Sequence, residues 1–409
     1  MNRRTRFRIL SLIMSLILLL YAASLQAAQG ETKEGSGVTV YFPNWNVYSD
    51  AQNQVKNLPW SKLDCVNHAF WKIVPQNEGY AIASTDPWAD TDSGNPKAHF
   101  PQYAQCAKKY PNVGILLSIG GWTCSGYFSE MAATETGRAS FIQSCIETLK
   151  AYPFFTGLDI DWEYPGVSRA GGGGDEGNPV KGDDKTNYTL LLKELRSALD
   201  NQFGNRKKQL TVCASGTVGT LAHQDYAALF PYVDRINLMT YDLAGSWNAA
   251  TAHHSALYGS ASADAAVKYL MRQGVPASKI AIGSPLYSHG WKIRKLGVNP
   301  VGAPAKGLSD GDKTWAELEQ LEKLAAPEGT PGWHMGYDEK AAAAYLWNDD
   351  SASPDYGIFY TYDSVRSLDA KLAYIRAYSL GGVIVWQIHG DSAGEGWPMI
   401  TRMCNGLHP

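Results

Sequence analysis

Asp159, Asp161 and Glu163 occupy every second position of the run Gly157-Leu158-Asp159-Ile160-Asp161-Trp162-Glu163. On an extended strand this spacing puts all three carboxylates on one face and Leu158, Ile160 and Trp162 on the other. Apolar residues between the acids place the row inside a fold, against the alternatives of a solvated acidic edge or a Mg²⁺ or Ca²⁺ site. Like charges held close force at least one carboxyl to keep its proton at neutral pH. A protonated carboxyl is the group that donates to a leaving oxygen in glycosidic cleavage. Glu163 stands nearest the end of the strand, so it is the acid candidate.

The elements that must carry this row alternate along the chain. Short apolar, β-branched runs at 38–42, 65–71, 113–120, 155–162, 210–215, 235–241, 279–285 and 382–388 read as strands. Helical periodicity falls between them, at 137–152, 188–203, 263–273 and 369–379. Eight such units predict parallel strands joined by right-handed crossovers, in a (β/α)8 TIM barrel of α/β class. Two stretches interrupt the alternation. Residues 166–184, rich in Gly and Asp, predict a loop on the C-terminal face of the barrel, and lack the Lys-Ser/Thr ending of a phosphate-binding loop. Residues 293–357 predict a small α+β insertion domain between strands 7 and 8, with helical patches at 314–324 and 337–345 and an extended stretch at 358–362.

Bulk properties narrow the partners. The 409 residues carry a formal charge of −3, which gives no electrostatic reason to expect nucleic acid. Trp and Tyr are abundant, at 13 and 23 against 11 Phe, which suits stacking on sugar faces and ordinary burial alike. Arg3, Arg4, Arg6 and Arg8 precede an apolar run and small residues at Ala27 and Ala28, the layout of a signal peptide over 1–28. Its removal leaves residues 29–409, brings the charge to about −7, and implies a secreted protein, extracellular or periplasmic, with no membrane attachment. Six cysteines, Cys65, Cys106, Cys124, Cys145, Cys213 and Cys404, then allow disulfides without choosing a pairing, and small buried thiols are the alternative. No His/Cys or His/Glu pair has metal-ligand spacing, so neither a metal nor a cofactor is expected.

The segment ending at Glu163 resembles the DxxDxDxE signature of glycoside hydrolase family 18, the chitinase family. Ser118-Ile119-Gly120-Gly121-Trp122 resembles that family's SxGG motif, Met239-Thr240-Tyr241-Asp242 its MxYD motif, and Trp386 the tryptophan ending its eighth strand. The resemblance implies a monomeric enzyme acting on chitin or chito-oligosaccharides by a retaining mechanism in which the substrate's own 2-acetamido oxygen attacks. It implies that Glu163 is acid and then base, that Asp161 holds the acetamido N–H, that Asp159 shares a proton with Asp161, and that Tyr241 donates to the acetamido oxygen. Met239, Asp242 and Tyr164 would line the same subsite over a floor made by Trp386. Trp45, Trp122 and Trp247 each follow a strand and suit cleft lining or plain burial equally. Tyr287 and Trp291 fit a further segment of the form GxPxYGRxW, where His289 replaces a frequent arginine and Thr156 replaces the first Asp of the signature. Both departures bear on fine specificity. A lectin on the same barrel, an endo-β-N-acetylglucosaminidase and a peptidoglycan hydrolase are the competing readings.

Overall fold

The computed structural model describes residues 36–49, 54–297, 299–309, 312–391 and 393–408; the expected leader at 1–28 lies outside them. No helix among the described residues is long and apolar enough to cross a membrane. Eight parallel strands close on themselves: β1 (Gly37–Pro43), β2 (Cys65–Gln76), β4 (Gly114–Gly120), β5 (Gly157–Asp161), β6 (Gln209–Ser215), β7 (Arg235–Met239), β8 (Ile280–Pro285) and β14 (Gly382–Trp386). Closure is made where β1 pairs with β14 on one side and β2 on the other. A further strand, β3 (Gly79–Ser84), folds back antiparallel on the extended end of β2.

The strands read as nearly continuous buried runs because helices cover one face and the barrel interior the other. Leu158, Ile160 and Trp162 point outward as their parity requires, and Trp162 stacks on Phe128 at 5.3 Å and meets Tyr188 edge-on at 5.3 Å. The covering helices start where side chains can satisfy free backbone N–H groups. Thr134, Asp183, Ser262 and Ser364 cap the helices Glu135–Ala151, Asp184–Phe203, Ala263–Arg272 and Val365–Tyr378.

Between β8 and β14 the chain builds a five-stranded antiparallel sheet: β9 (His289–Ile293), β10 (Ala305–Gly307), β11 (Trp333–Asp338), β12 (Ala343–Asn348) and β13 (Ile358–Tyr362), in the order β10-β9-β13-β12-β11. The helix Trp315–Lys323 accompanies it, opened by a capping box of Thr314 and Glu317. These strands begin at His289 and end at Tyr362, a wider span than 293–357. The patch at 337–345 is not helical. Its alanines favour a helix in isolation, but pairing of β12 with both β11 and β13 overrides that preference. The reversal is made at residues 339–342, where Asp338 Oδ1 accepts from the Lys340 and Ala341 amides. All six cysteines are free thiols, four of them buried.

A buried ion pair ties this region to the barrel. Lys371 Nζ, on the helix Val365–Tyr378, donates to Asp363 Oδ2 at 2.6 Å, Ser255 Oγ at 2.5 Å and the Gly283 carbonyl at 3.2 Å. Ser255 in turn donates to the Thr240 carbonyl, and Ser284 donates to Asp363. Desolvating both charges costs several kcal/mol, so removing one partner is worse than removing both. Lys371→Met should lose about 3–5 kcal/mol in urea unfolding, and adding Asp363→Asn to the same chain should recover part of it. A loss below about 1 kcal/mol, the range of exposed pairs, would mean the pair is hydrated in solution.

Candidate active site

The three carboxylates of β5 and its continuation lie at graded depth. Asp159 is fully buried, Asp161 is 3% exposed and Glu163 is 9% exposed, so the row climbs from the barrel interior to the mouth. Register explains the lowest member: Ser118 of β4 and Thr211 of β6 stand directly beside Asp159. Both donate to its carboxylate, Ser118 Oγ at 2.8 Å. Tyr41 Oη of β1 donates at 2.9 Å, Asn237 Nδ2 of β7 at 3.0 Å, and Cys213 Sγ approaches at 3.5 Å. Five neighbouring groups from four strands therefore surround one buried acid.

The upper two acids are less well served. Burial pushes the Asp161 carboxyl well above the usual range, and the charges of Glu163 and Asp159 push it further. Its Oδ1 is buried with no hydrogen-bond partner among the described residues, which leaves an acceptor free for a donor on a bound molecule. Burial is also the main reason that Glu163 is raised, to about 7. Tyr164 and the Arg169 guanidinium pull Glu163 down, while Asp242 and Asp175 push it up. Loss of water outranks mutual repulsion in both shifts, whereas the sequence pattern suggested only repulsion. Glu163 is held from behind by its own amide, which donates to Ser125 Oγ at 3.0 Å.

Around the acids the strand ends supply an apolar wall. Tyr41, Phe70, Met239, Tyr241 and Ile384 form one buried cluster, with Tyr164, Tyr287 and Trp386 packed against it half-buried. Trp386 stacks on Phe70 at 5.6 Å, meets Tyr41 at 5.8 Å and receives Trp45 edge-on at 6.2 Å. Phe70 reaches this layer because β2 shifts register between His68 and Trp71, which re-aims one side chain. Close approach also demands glycine at two points. A Cβ on Gly283 would lie 2.6 Å from the Tyr241 ring, and one on Gly120 would lie 2.1 Å from the Asp161 carbonyl.

At one side Asp242 collects polar partners. Its Oδ1 accepts from Tyr287 Oη at 2.5 Å and lies 2.7 Å from His289 Nε2. Enclosure opposes its charge, but His254 and His289 outweigh that and hold the carboxyl well below the usual range. Burial likewise opposes the His289 cation, yet hydrogen bonds to Asp242 and Asp312 raise the imidazole to about 9. The arginine replacement is therefore still a cation here. Thr156, the other departure, sits at the far end of β5, where its hydroxyl bonds the backbone of Ile115.

The peripheral aromatics separate. Trp45 is 43% exposed and Trp122 50%, so neither is plain core. Arg169 lies 3.9 Å from the Trp122 ring centroid and is paired with Asp175 within the Gly-rich segment 166–184. Trp247, 63% exposed, meets His289 edge-on at 5.3 Å. Trp291, on β9, is fully buried and its ring meets Phe359 of the paired strand β13 at 6.0 Å. Sequence reasoning gave no site role to Tyr41, Ser118, Thr211, Cys213 and Asn237, although Ser118 stands in the SxGG-like motif and each is a polar residue set in an otherwise apolar strand run. Phe70, Arg169, His254 and Asp312 were also missed; a bulge and three loop positions carry no periodic signal.

Comparison with known proteins follows this geometry. The family model described as glycosyl hydrolases family 18 matches residues 37–391. Chitinase A1 of Niallia circulans is 31% identical over 93% of this chain and 60% of its own length. Chitinase A of Pseudoalteromonas piscicida is 29% identical over 92% of this chain and 53% of its own length. The chain thus spans little more than half of these relatives. Among solved structures, the Group IV chitinase of Ostrinia furnacalis superposes with a TM-score of 0.79 at 26% identity, over 91% of this chain and all of that one.

The electrostatics of the acid can be read without any substrate. Titration of Glu163, followed by ¹³C NMR of its side-chain carboxyl, should show a midpoint near 7. Arg169→Met removes a cation that lowers this value, so the midpoint should move up; no movement would mean the guanidinium is screened.

Proposed function

Because the chain belongs to glycosyl hydrolases family 18, we propose that it is a chitinase that cuts β-1,4 links between N-acetylglucosamine units with Glu163 as acid. The observation that carries this reading is a carboxyl raised to about 7, set directly above an Asp161 whose Oδ1 has no partner. At neutral pH such a group is partly protonated and can donate to a glycosidic oxygen. Asp159 is not placed to act as a nucleophile, since it is fully buried and committed to its donors. The substrate's own 2-acetamido oxygen then attacks the anomeric carbon as the leaving oxygen takes the Glu163 proton, in the substrate-assisted manner known for this family.

Asp161 Oδ1 accepts the acetamido N–H and so orients the oxygen that attacks. Tyr241 donates to the acetamido oxygen, and Trp386 supplies the flat apolar floor for the reacting sugar. Met239, Asp242, Tyr164 and Tyr287 complete that subsite, and the exposed rings of Trp45 and Trp122 bind further sugars. Glu163, now a carboxylate, takes a proton from water as water opens the bicyclic intermediate, so configuration is retained. The five-stranded sheet beside the mouth favours a walled cleft for a linear polymer over an open site for a branched glycan. Export to the cell exterior or periplasm is part of the proposal, supported by the arginine-rich leader over 1–28.

Hydrolysis of fluorogenic N,N′-diacetylchitobioside and chitotrioside tests the reading. Glu163→Gln should lower kcat by about 10²–10⁴-fold while leaving sugar binding largely intact. Chitosan lacking the acetyl group at the reacting sugar should not be cut. Binding without turnover in the wild type would move the protein to the lectins, and turnover only on glycoprotein glycans would make it an endo-β-N-acetylglucosaminidase.

A further inference from the structure

Three metal-ligand side chains converge beside the mouth, and the hydrolytic reading uses only one of them. The carboxylate of Asp242 and the imidazoles of His254 and His289 have ligand atoms that all lie within 4.8 Å of one another. They come from different elements: Asp242 follows β7, His254 sits in the loop beyond it, and His289 opens β9. Their separation along the chain hides them from any spacing rule.

Two observations point to a ligand here. First, His254 is fully buried, yet neither ring nitrogen has a hydrogen-bond partner among the described residues. Its Nδ1 lies 3.9 Å from Asp242 Oδ1, too far for a hydrogen bond, and the ring belongs to the convergent ligand group. A buried imidazole whose nearest polar contact is a 3.9 Å approach to Asp242 costs free energy unless something binds it. Second, His289 is already oriented as a metal-bound histidine is. Its Nε2 faces Asp242 at 2.7 Å, while Nδ1 is anchored 2.8 Å from Asp312 Oδ1. Metal-bound histidines in proteins typically give their far nitrogen to a carboxylate in this way. Asp242, with a side chain 48% exposed, leaves a path from solvent.

Geometry and donor type select the ion. Zinc bonds of about 2.0–2.1 Å in a tetrahedron put neighbouring ligand atoms about 3.4 Å apart. The 2.7 Å and 3.9 Å separations to Asp242 straddle that spacing, and the two imidazoles have ligand atoms within 4.8 Å of each other. Two imidazoles and one carboxylate suit Zn²⁺ and its borderline neighbours, and not Mg²⁺ or Ca²⁺, which require oxygen cages. The fourth position falls to water or to Tyr287 Oη, 2.5 Å from the same Asp242 oxygen.

We propose that Asp242, His254 and His289 bind a transition-metal dication of the Zn²⁺ class, and that the bound ion withdraws Asp242 from the sugar subsite and inhibits. The inhibitory half rests on the hydrolase reading; the binding half does not. On binding, His289 releases its Nε2 proton to solvent and the ion takes that proton's place between imidazole and carboxylate.

Equilibrium dialysis with Zn²⁺, and the visible spectrum of the Co²⁺-loaded protein, test the site without any substrate. One ion per chain with tetrahedral Co²⁺ bands is expected, lost in His254→Ala and in His289→Gln. Asp312→Asn, at an exposed position outside the ligand set, should weaken Zn²⁺ by about 10–100-fold. Circular dichroism of each variant separates loss of a ligand from loss of the fold. No binding by the wild type at millimolar Zn²⁺, or equal binding in all three variants, overturns the site. In turnover of diacetylchitobioside, Zn²⁺ should raise the apparent KM of the wild type and not of a folded His254→Ala. Bound Zn²⁺ with unchanged turnover overturns the inhibition alone, and absence of turnover under all conditions overturns the hydrolase reading while dialysis still decides the site.

Discussion

Asp159 is a carboxylate with no contact to water at the centre of a barrel, and much else follows from the need to accommodate it. Taking such a group out of water costs several kcal/mol unless its lone pairs are satisfied. Here the donors are Tyr41, Ser118, Thr211 and Asn237, drawn from β1, β4, β6 and β7, with the Cys213 thiol alongside. Each reaches the acid only if its strand is in register to the residue, because a slip of one position turns the side chain to the opposite face. One buried acid thus specifies the mutual alignment of half the barrel. With its base pinned, β5 can carry two further acids upward into positions that would otherwise repel one another apart.

The consequence is a division of labour set by solvation. Asp159 is satisfied by the protein, Asp161 is left with an unused oxygen, and Glu163 retains slight contact with solvent. Chemistry belongs to the last two because they are the incompletely satisfied members. The walls add to this by excluding water: Tyr41, Phe70, Met239, Tyr241 and Trp386 surround the acids with hydrocarbon and ring faces. The same enclosure that makes Glu163 hold its proton also provides the flat surface on which a sugar can rest.

The parity of β5 was fully legible in the sequence, since alternation of acid and hydrocarbon has one reading on a buried strand. The eight barrel strands were legible for the same reason, being apolar runs broken at helix caps. What escaped was whatever depends on contacts between distant segments. Residues 337–345, with four consecutive alanines, read as helix until a strand on either side is available to pair. The donors to Asp159 are isolated polar residues on four separate apolar runs, and nothing local says that they meet at one acid. His289 was visible as an oddity, but its role required Asp242 and Asp312 to be brought to its two nitrogens.

The sheet beside the mouth leaves the barrel and returns to it at adjacent points. β9 follows β8 within a few residues, and β13 leads directly to the helix before β14. These two crossings are hydrogen-bonded to each other, with His289 opposite Thr361 and Lys292 opposite Ile358. Entry and exit are therefore clamped side by side, so everything between them forms a closed excursion from a barrel whose strands β8 and β14 pair with each other directly. In hereditary terms it is a cassette: a lineage could lengthen, shorten or recast this wall, and so retune what enters the cleft, without renegotiating the barrel that holds the acids.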